Sequence, residues 1–387
     1  VVGDMDLVRP LGVADIPVIS VGSIGREARW SRYTRSHLPL PGSWDEPERL
    51  VDALVAFGRR QPERPVLYYQ QDHAALAVSA HREQLSETFD FVIPRVDLVE
   101  NLLHKARFQR LAQEHDLGVP GARTITGSAA VDQESLEHDY PVVVKPSLRE
   151  RAAETWAPVA GQAKAVLCQN REELARVLRR PELDGIPLMV QVWIPGAEDQ
   201  IWSYHAFVGD AGTVVAEFTG RKIRTWPVAF GQSTAVEVRA DAEVADTGRS
   251  ILARIGFTGV AKVDLKRDPD GVLHLLEINP RFNLWHHVGA MAGVNIPAAV
   301  HHHFGSAPMA AVGPARDGVT WCKAWSDFAA ARAGGVGVGS WLRFLAACDA
   351  RRGLHLDDPR AALGVVASRS ARARGPRGGR LPRPAGS

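Results

Sequence analysis

Cysteine is scarce in this 387-residue chain: Cys168, Cys322 and Cys348 stand far apart, with no CxxC spacing among them. That excludes a zinc ribbon or a disulfide framework, and reduced, buried thiols are expected. Net charge is also missing. The 46 basic and 44 acidic side chains leave +2, too balanced for a nucleic-acid surface. No apolar run approaches the roughly 18 residues of a membrane span. Asp4 and Asp6 stand where a secretory signal would carry a basic region and an apolar block, so the expected compartment is the cytoplasm, with no membrane partner. There is no GxGxxG after the first apolar run and no internal repeat, which leaves a dinucleotide site unsupported. Lysine is rare as well. Seven lysines stand against 39 arginines, so a lysine at the end of an apolar run is a marked choice.

What remains is the composition of a globular protein, 45% apolar and 23% charged. The length exceeds one ordinary core, so two or three domains are expected. In residues 1–97, short apolar runs (VVG at 1–3, IPVISV at 16–21, PVLYY at 65–69, FVIP at 91–94) alternate with helical patterns at 4–12 and 45–60. That alternation predicts a small open parallel sheet. Residues 98–190 open on one amphipathic helix, VENLLHKARFQRLAQEHD. Strands are expected at 141–145 and 163–169, then a helix at 171–180 and a strand at 188–194. Residues 191–312 hold a β-rich stretch (201–240), a helix near 241–255 and strands at 259–267 and 272–279, an α+β pattern. Residues 313–367 form an extension in which RAGGVGVGS (332–340) reads as a flexible connector. Residues 368–387, with six arginines and no acid, read as a disordered basic tail.

The segment VAKVDLKRDPDGVLHLLEINPR (260–281) carries the chemistry. Pro269 and Gly271 make a turn, so two strands fold back on each other. With a two-residue Asp270–Gly271 loop, Asp264 lies directly opposite Glu277, Cβ atoms about 5 Å apart, and Asn279 shares their face. A three-residue loop with a bulge at Gly271 shifts that register by one, and a second bulge is then needed to keep the acids together. Two facing carboxylates repel unless a hard cation lies between them. Carboxylate and amide oxygens suit Mg²⁺, which phosphate oxygens and water complete. The competing reading is a solvated hairpin whose acids pair with Lys262, Lys266 or Arg281.

Lys145 ends the apolar run PVVVK, and Lys164 lies in the next strand-like segment; compact ammonium charges suit phosphate oxygens. QVWIPGAEDQ (191–200) offers a strand end, Gln191–Ile194, whose backbone can meet a flat heterocycle, with Glu198 beyond it to accept from sugar hydroxyls.

In this order, Lys145, Lys164, the QVWIPG hinge and Asp264 with EINPR resemble the ATP-grasp superfamily, most closely its bacterial carboxylate–amine ligases and predicted carboligases. The resemblance covers roughly residues 1–312. It implies α/β and α+β classes: a small parallel β/α domain (1–97) ahead of a two-subdomain ATP-grasp fold (98–190 and 191–312) that sandwiches ATP. Lys105, Lys145 and Lys164 would then contact phosphates, Gln191, Val192, Trp193 and Ile194 would meet the adenine, and Glu198 the ribose. Asp264, Glu277 and Asn279 would hold one or two Mg²⁺ ions, with Mn²⁺ as a substitute. Such proteins usually show Asp where His104 stands and Glu where Val192 stands.

The chemistry implied is attack of a substrate carboxylate on ATP, giving an acyl phosphate that an amine then displaces. Arg281, Arg221 and Arg224 are the candidates for orienting the carboxylate and stabilising developing charge, since a planar guanidinium makes bidentate contacts. Trp285, His286 and His287 are expected to line the acceptor pocket, and the HHH at 301–303 to lie on a helix surface or to pack, with no ligand cluster. Small-molecule carboxylate and amine substrates are the implied partners, and homodimers are frequent among such proteins. Two other readings stand: an ATP-binding regulatory or interaction module without catalysis, and an ATP-dependent carboxylase. Biotin is not expected on this chain, which has no MKM-like acceptor motif.

Overall fold

In the computed structural model, residues 1–22, 27–40, 46–126, 139–147, 153–305, 312–355, 357–361 and 363–364 are described. The basic tail read at 368–387 lies outside them. The chain opens on helix α1 (Met5–Val13), whose first turn is capped by the Asp4 carboxylate accepting from Asp6 N–H at 3.0 Å. Strand β1 (Val18–Val21) pairs in parallel with β2 (Thr34–Leu38), and parallel bridges at Val2–Tyr69 and Val66–Asp90 continue the layer. The expected small parallel sheet is therefore present, covered by α2 (Pro47–Gly58), α3 (Asp72–Ala80) and the short α4 (Arg82–Ser86).

The single helix expected across residues 99–116 is two: α5 (Val96–Leu103) and α6 (Lys105–Glu114). His104 breaks it by adopting an extended backbone (φ −101°, ψ 110°), and its Nδ1 accepts from Arg107 N–H at 3.4 Å. It thus acts as the N-cap of α6 and places Lys105 at the first helical position.

A four-stranded antiparallel sheet follows, ordered β3 (Ala122–Thr126), β6 (Pro187–Val192), β4 (Val142–Pro146), β5 (Val166–Cys168). Helices α7 (Ala153–Ala160) and α8 (Arg171–Leu178) pack on it around Val142, Val144, Leu174, Leu178, Leu188 and Val190. Strand β5 starts later than expected. Lys164 lies in the turn before it, with its N–H bonded at 3.0 Å to O of Phe230, in a turn between two strands of the larger sheet.

That larger sheet runs β11 (Leu273–Asn279), β10 (Gly259–Arg267), β7 (Ile201–Val208), β8 (Val214–Trp226), β9 (Gln232–Val238), β12 (Thr320–Lys323), β13 (Ala350–Arg352). Its pairs are antiparallel except β12–β13. Helix α9 (Ala242–Arg254) lies on one face so closely that a Cβ on Gly248 would come within 2.3 Å of the Tyr204 ring. Helices α10 (His286–Met291) and α11 (Ile296–His303) cover the other face and meet α1. The connector expected at 332–340 is a tight turn between α12 (Ala324–Ala333) and α13 (Val338–Ala347), closed by Val336 N–H on Ala331 O at 2.8 Å. The stretch beyond 313 thus extends the large sheet. Arg352 on β13 fastens it to the N-terminus, pairing with Asp4 at 2.6 Å and Asp6 at 2.7 Å, while Trp321 donates to Asp6 at 3.0 Å.

The core between the large sheet and α10 contains imidazoles. His205 stacks on Phe218 (centroids 4.5 Å, planes 8° apart) and lies 5.0 Å from the Trp285 ring. Trp285, His286 and His287, expected at an acceptor pocket, are 0%, 0% and 3% exposed: they pack the core. The reason is local, because helix α10 turns them onto the sheet and α1. His301–His303 end α11 at the surface, as expected.

Burial holds these imidazoles neutral, pushing His286 and His287 down to about 3, His355 to about 4 and His205 well below 6.5. In the unfolded chain they take up protons below about pH 6.5 while the folded ones stay neutral. Stability is therefore complete above that pH and declines below it by up to about 1.4 kcal/mol per pH unit per group. A melting-temperature series is expected to stay level above about pH 7 and fall steadily below about pH 6. The slope should be shallower in His287→Gln, whose amide oxygen can still accept from Arg9, and an equal slope would contradict this account.

Candidate functional site

The β10–β11 hairpin turns through Pro269–Gly271. Asp268 N–H bonds Val272 O and Gly271 N–H bonds Asp268 O, both at 3.0 Å, and Gly271 sits at φ +88°, where glycine carries no Cβ penalty. The Asp268 carboxylate fixes the loop by accepting from the N–H groups of Asp270 (3.0 Å) and Val272 (2.8 Å). Near the turn the register is Arg267–Leu273 and Leu265–Leu275, one residue off the alignment that would oppose the acids. Leu276 is then inserted as a bulge, and beyond it Asp264 lies opposite Glu277 and Lys262 opposite Asn279. The three-residue loop with a second bulge is the arrangement found.

Asp264 is 3% exposed. One of its oxygens accepts from Ser203 Oγ on β7 and the other from Lys262 Nζ at 2.5 Å. Asn279 Nδ2 donates to Glu277 at 3.2 Å, and Arg281 Nη2 donates to Asn279 Oδ1 at 3.3 Å. Two unit charges about 5 Å apart repel by about 3 kcal/mol at an effective dielectric of about 20, so Lys262 compensates a real penalty. Among the described residues no three His, Cys, Asp or Glu side chains form a metal cluster. Two carboxylates and an amide oxygen nevertheless fit a hard cation that keeps waters and takes its other ligands from phosphate, as Mg²⁺ does.

The hairpin forms one wall of a cleft of about 420 Å³ between the two sheets, within the size range of small-ligand sites. The opposite wall is the four-stranded sheet. Lys145, near the end of β4, donates to Gln191 Oε1 at 2.7 Å, and Lys105 Nζ bonds Pro146 O beside it. Burial lowers the Lys145 pKa, and the Glu277 carboxylate across the cleft raises it, so the two walls already interact. Lys164, Val192, Trp193, Ile194 and Glu198 also line the space. The N–H groups of Val192 and Trp193 hold the strand end, bonding Gly121 O (2.9 Å) and Pro141 O (3.0 Å). Glu198 accepts from Phe230 N–H at 3.3 Å.

Two lysines join the site that the sequence reading had not placed there. Lys222 and Lys266 line the same cleft, so five of the chain's seven lysines face it. Lysine scarcity was the signal that could have found them. Lys266 donates to Gly196 O at 2.7 Å and lies 5.4 Å from the Trp193 ring centroid, and burial lowers its pKa. Asp72, at the start of α3, also lines the cleft and was not foreseen.

The three candidate arginines are not on the cleft wall. Strand alternation gives Lys222 the cleft face and turns Arg221 away to Glu237, at 3.0 Å. A register shift between Lys222 and Arg224 then swings Arg224 to the C-terminal helices. There it makes a bidentate pair with the fully buried Asp327 (2.8 and 2.6 Å) under the Phe344 ring. Arg281 stands behind Asn279, held by Asp72 through Nε.

Comparison with known proteins agrees with this geometry. Residues 187–323 match the family described as ATP-grasp in the biosynthetic pathway with Ter operon. A D-aspartate ligase of Enterococcus faecium (strain Aus0004) is 28% identical over 220 residues, 54% of this chain and 51% of that protein. The chain thus spans about half the length of that relative. Among solved structures, an L-amino acid ligase from Bacillus licheniformis superposes with a TM-score of 0.57 at 16% identity, covering 77% of this chain and 70% of that one. N5-carboxyaminoimidazole synthetase from Staphylococcus aureus complexed with ADP gives 0.60 at 13% identity, covering 81% and 77%. At such identities these structures establish the fold.

Because Arg224 neutralises a buried carboxylate, Arg224→Met is expected to lower stability by about 3–5 kcal/mol in denaturant titration. Nucleotide affinity should stay within about twofold, as for a surface far from the ligand. Loss of affinity without loss of stability would return Arg224 to the site.

Proposed function

We propose that this chain, which carries an ATP-grasp domain, is a carbon–nitrogen ligase that uses ATP and Mg²⁺ to activate a small-molecule carboxylate for attack by an amine. The observation that carries the reading is one cleft lined by five lysines of a lysine-poor chain, with Lys105, Lys145 and Lys164 across from two opposed carboxylates and Lys222 and Lys266 on the same sheet as those carboxylates. Cations around the space and a cation-binding pair on one wall suit a triphosphate and its metal.

Lys105, Lys145 and Lys164 would hold phosphate oxygens, and a bound phosphate would favour the charged form of Lys145, which burial disfavours. Gln191–Ile194 and the apolar groups around them receive the base, and Glu198 accepts from the sugar. Asp264, Glu277 and Asn279 are the residues that would hold Mg²⁺, which when bound neutralises phosphate charge as the transferred group develops it. A carboxylate oxygen attacks the γ-phosphorus, and the bond to the bridging oxygen breaks to release ADP. The amine nitrogen then attacks the acyl carbon, phosphate leaves, and the nitrogen gives up a proton. The protein contributes positioning and charge neutralisation. Arg281 is the arginine nearest this chemistry, and we assign it to the substrate carboxylate; Arg221 and Arg224 drop out. The substrates are small molecules.

Phosphate release screened over carboxylate and amine pairs tests this. ADP should form only when a carboxylate is present, and coupling only with an amine. Glu277→Ala should lower turnover about 10²–10³-fold while the melting temperature holds or rises, because the repulsion with Asp264 is relieved. Nucleotide binding without turnover on any pair would favour the regulatory module, and bicarbonate-dependent ADP release the carboxylase.

A further inference from the structure

Asn279 links two parts of the site through its side-chain amide. Its amide lies between Glu277, which only accepts hydrogen bonds, and Arg281, which only donates them. That chemistry dictates the orientation: Nδ2 must face Glu277, at 3.2 Å, and Oδ1 must face Arg281, at 3.3 Å. Arg281 is anchored in turn by Asp72 on α3 of the N-terminal domain, which its Nε meets, and by Phe282 O at 3.2 Å. A chain of contacts therefore runs from Asp72 through Arg281 and Asn279 to Glu277.

In this arrangement Asn279 points its nitrogen, not its oxygen, at the carboxylate that should share a cation with it. We propose that cation binding turns the Asn279 amide over, and that the turn releases Arg281 Nη2 toward the substrate carboxylate. This rests on the reading that Glu277 and Asn279 hold the metal. After the turn, Nδ2 faces the guanidinium, donor against donor, and that hydrogen bond is lost. Arg281 keeps its anchor on Asp72, so it is freed at one end without leaving the site. Asp72 is thus a positioning residue supplied by the N-terminal domain. The consequence is an order of binding: metal and nucleotide first, carboxylate second.

Free Mn²⁺ measured by electron paramagnetic resonance, with the non-hydrolysable analogue AMPPNP present, reads the metal site without turnover. Arg281→Met removes the charge and the donor that hold the Asn279 oxygen. Asp72, with a side chain 27% exposed, is not left as a buried charge by it. Asn279→Asp presents an oxygen to both neighbours and has no amide to turn. Arg281→Met should bind Mn²⁺ about tenfold more tightly than the wild type, and in the Asn279→Asp background the same substitution should change the affinity by about twofold or less. Arg281→Lys, charged and donor-only, should stay near the wild type. Equal tightening in both backgrounds would assign the effect to charge alone and overturn the proposal, as would unchanged or weaker binding in Arg281→Met. Wild-type Mn²⁺ binding that Glu277→Ala does not alter would instead sink the ligase reading itself.

Discussion

Asp264 and Glu277 are held face to face across two paired strands, and most of the molecule can be understood from how that repulsion is managed. The bulge at Leu276 creates the opposition, since without it the register set by the turn would send Glu277 to the other face. Ser203 and Lys262 satisfy Asp264, and Asn279 satisfies part of Glu277. Each of these partners comes from the same three strands. The pair is therefore a pre-built feature of the large sheet, and in the proposed function a divalent cation would be its occupant.

The second sheet supplies the opposite sign. Lys145 feels Glu277 across the cleft, Lys105 is aimed by the cap at His104, and Lys164 is tied to the large sheet through its own N–H to Phe230 O. That link between the sheets, and the contact of Asp72 with Arg281, join three regions of the chain at one place. Farther away, Arg352 and Trp321 tie α1 to the distal edge of the large sheet. The stretch beyond residue 313 is accordingly part of the scaffold.

Much of this could be read in the residues. The hairpin was legible because a period-two pattern flanks an unmistakable turn, and the lysines because they are so few. The exact register was not: Leu275 and Leu276 are chemically alike, and nothing in the letters says which one bulges. Helices α5 and α6 share one apolar stripe, so the break at His104 depends on a cap geometry that periodicity does not report. Arg221 and Arg224 were misplaced because adjacent strand positions face opposite ways and a local register shift decides the outcome. Trp285, His286 and His287 looked like pocket residues because polar rings follow the ligand motif, yet stacking and burial won. Strands β12 and β13, at four and three residues, are too short to show any period.

Hydrogen–deuterium exchange with and without Mg²⁺ and AMPPNP bears most directly on the central claim that one ligand bridges both sheets. Amides of β4, of Val192–Ile194 and of β11 should slow together on addition of the complex, and none of them with Mg²⁺ alone. Slowing confined to one sheet, or none in either, would contradict it.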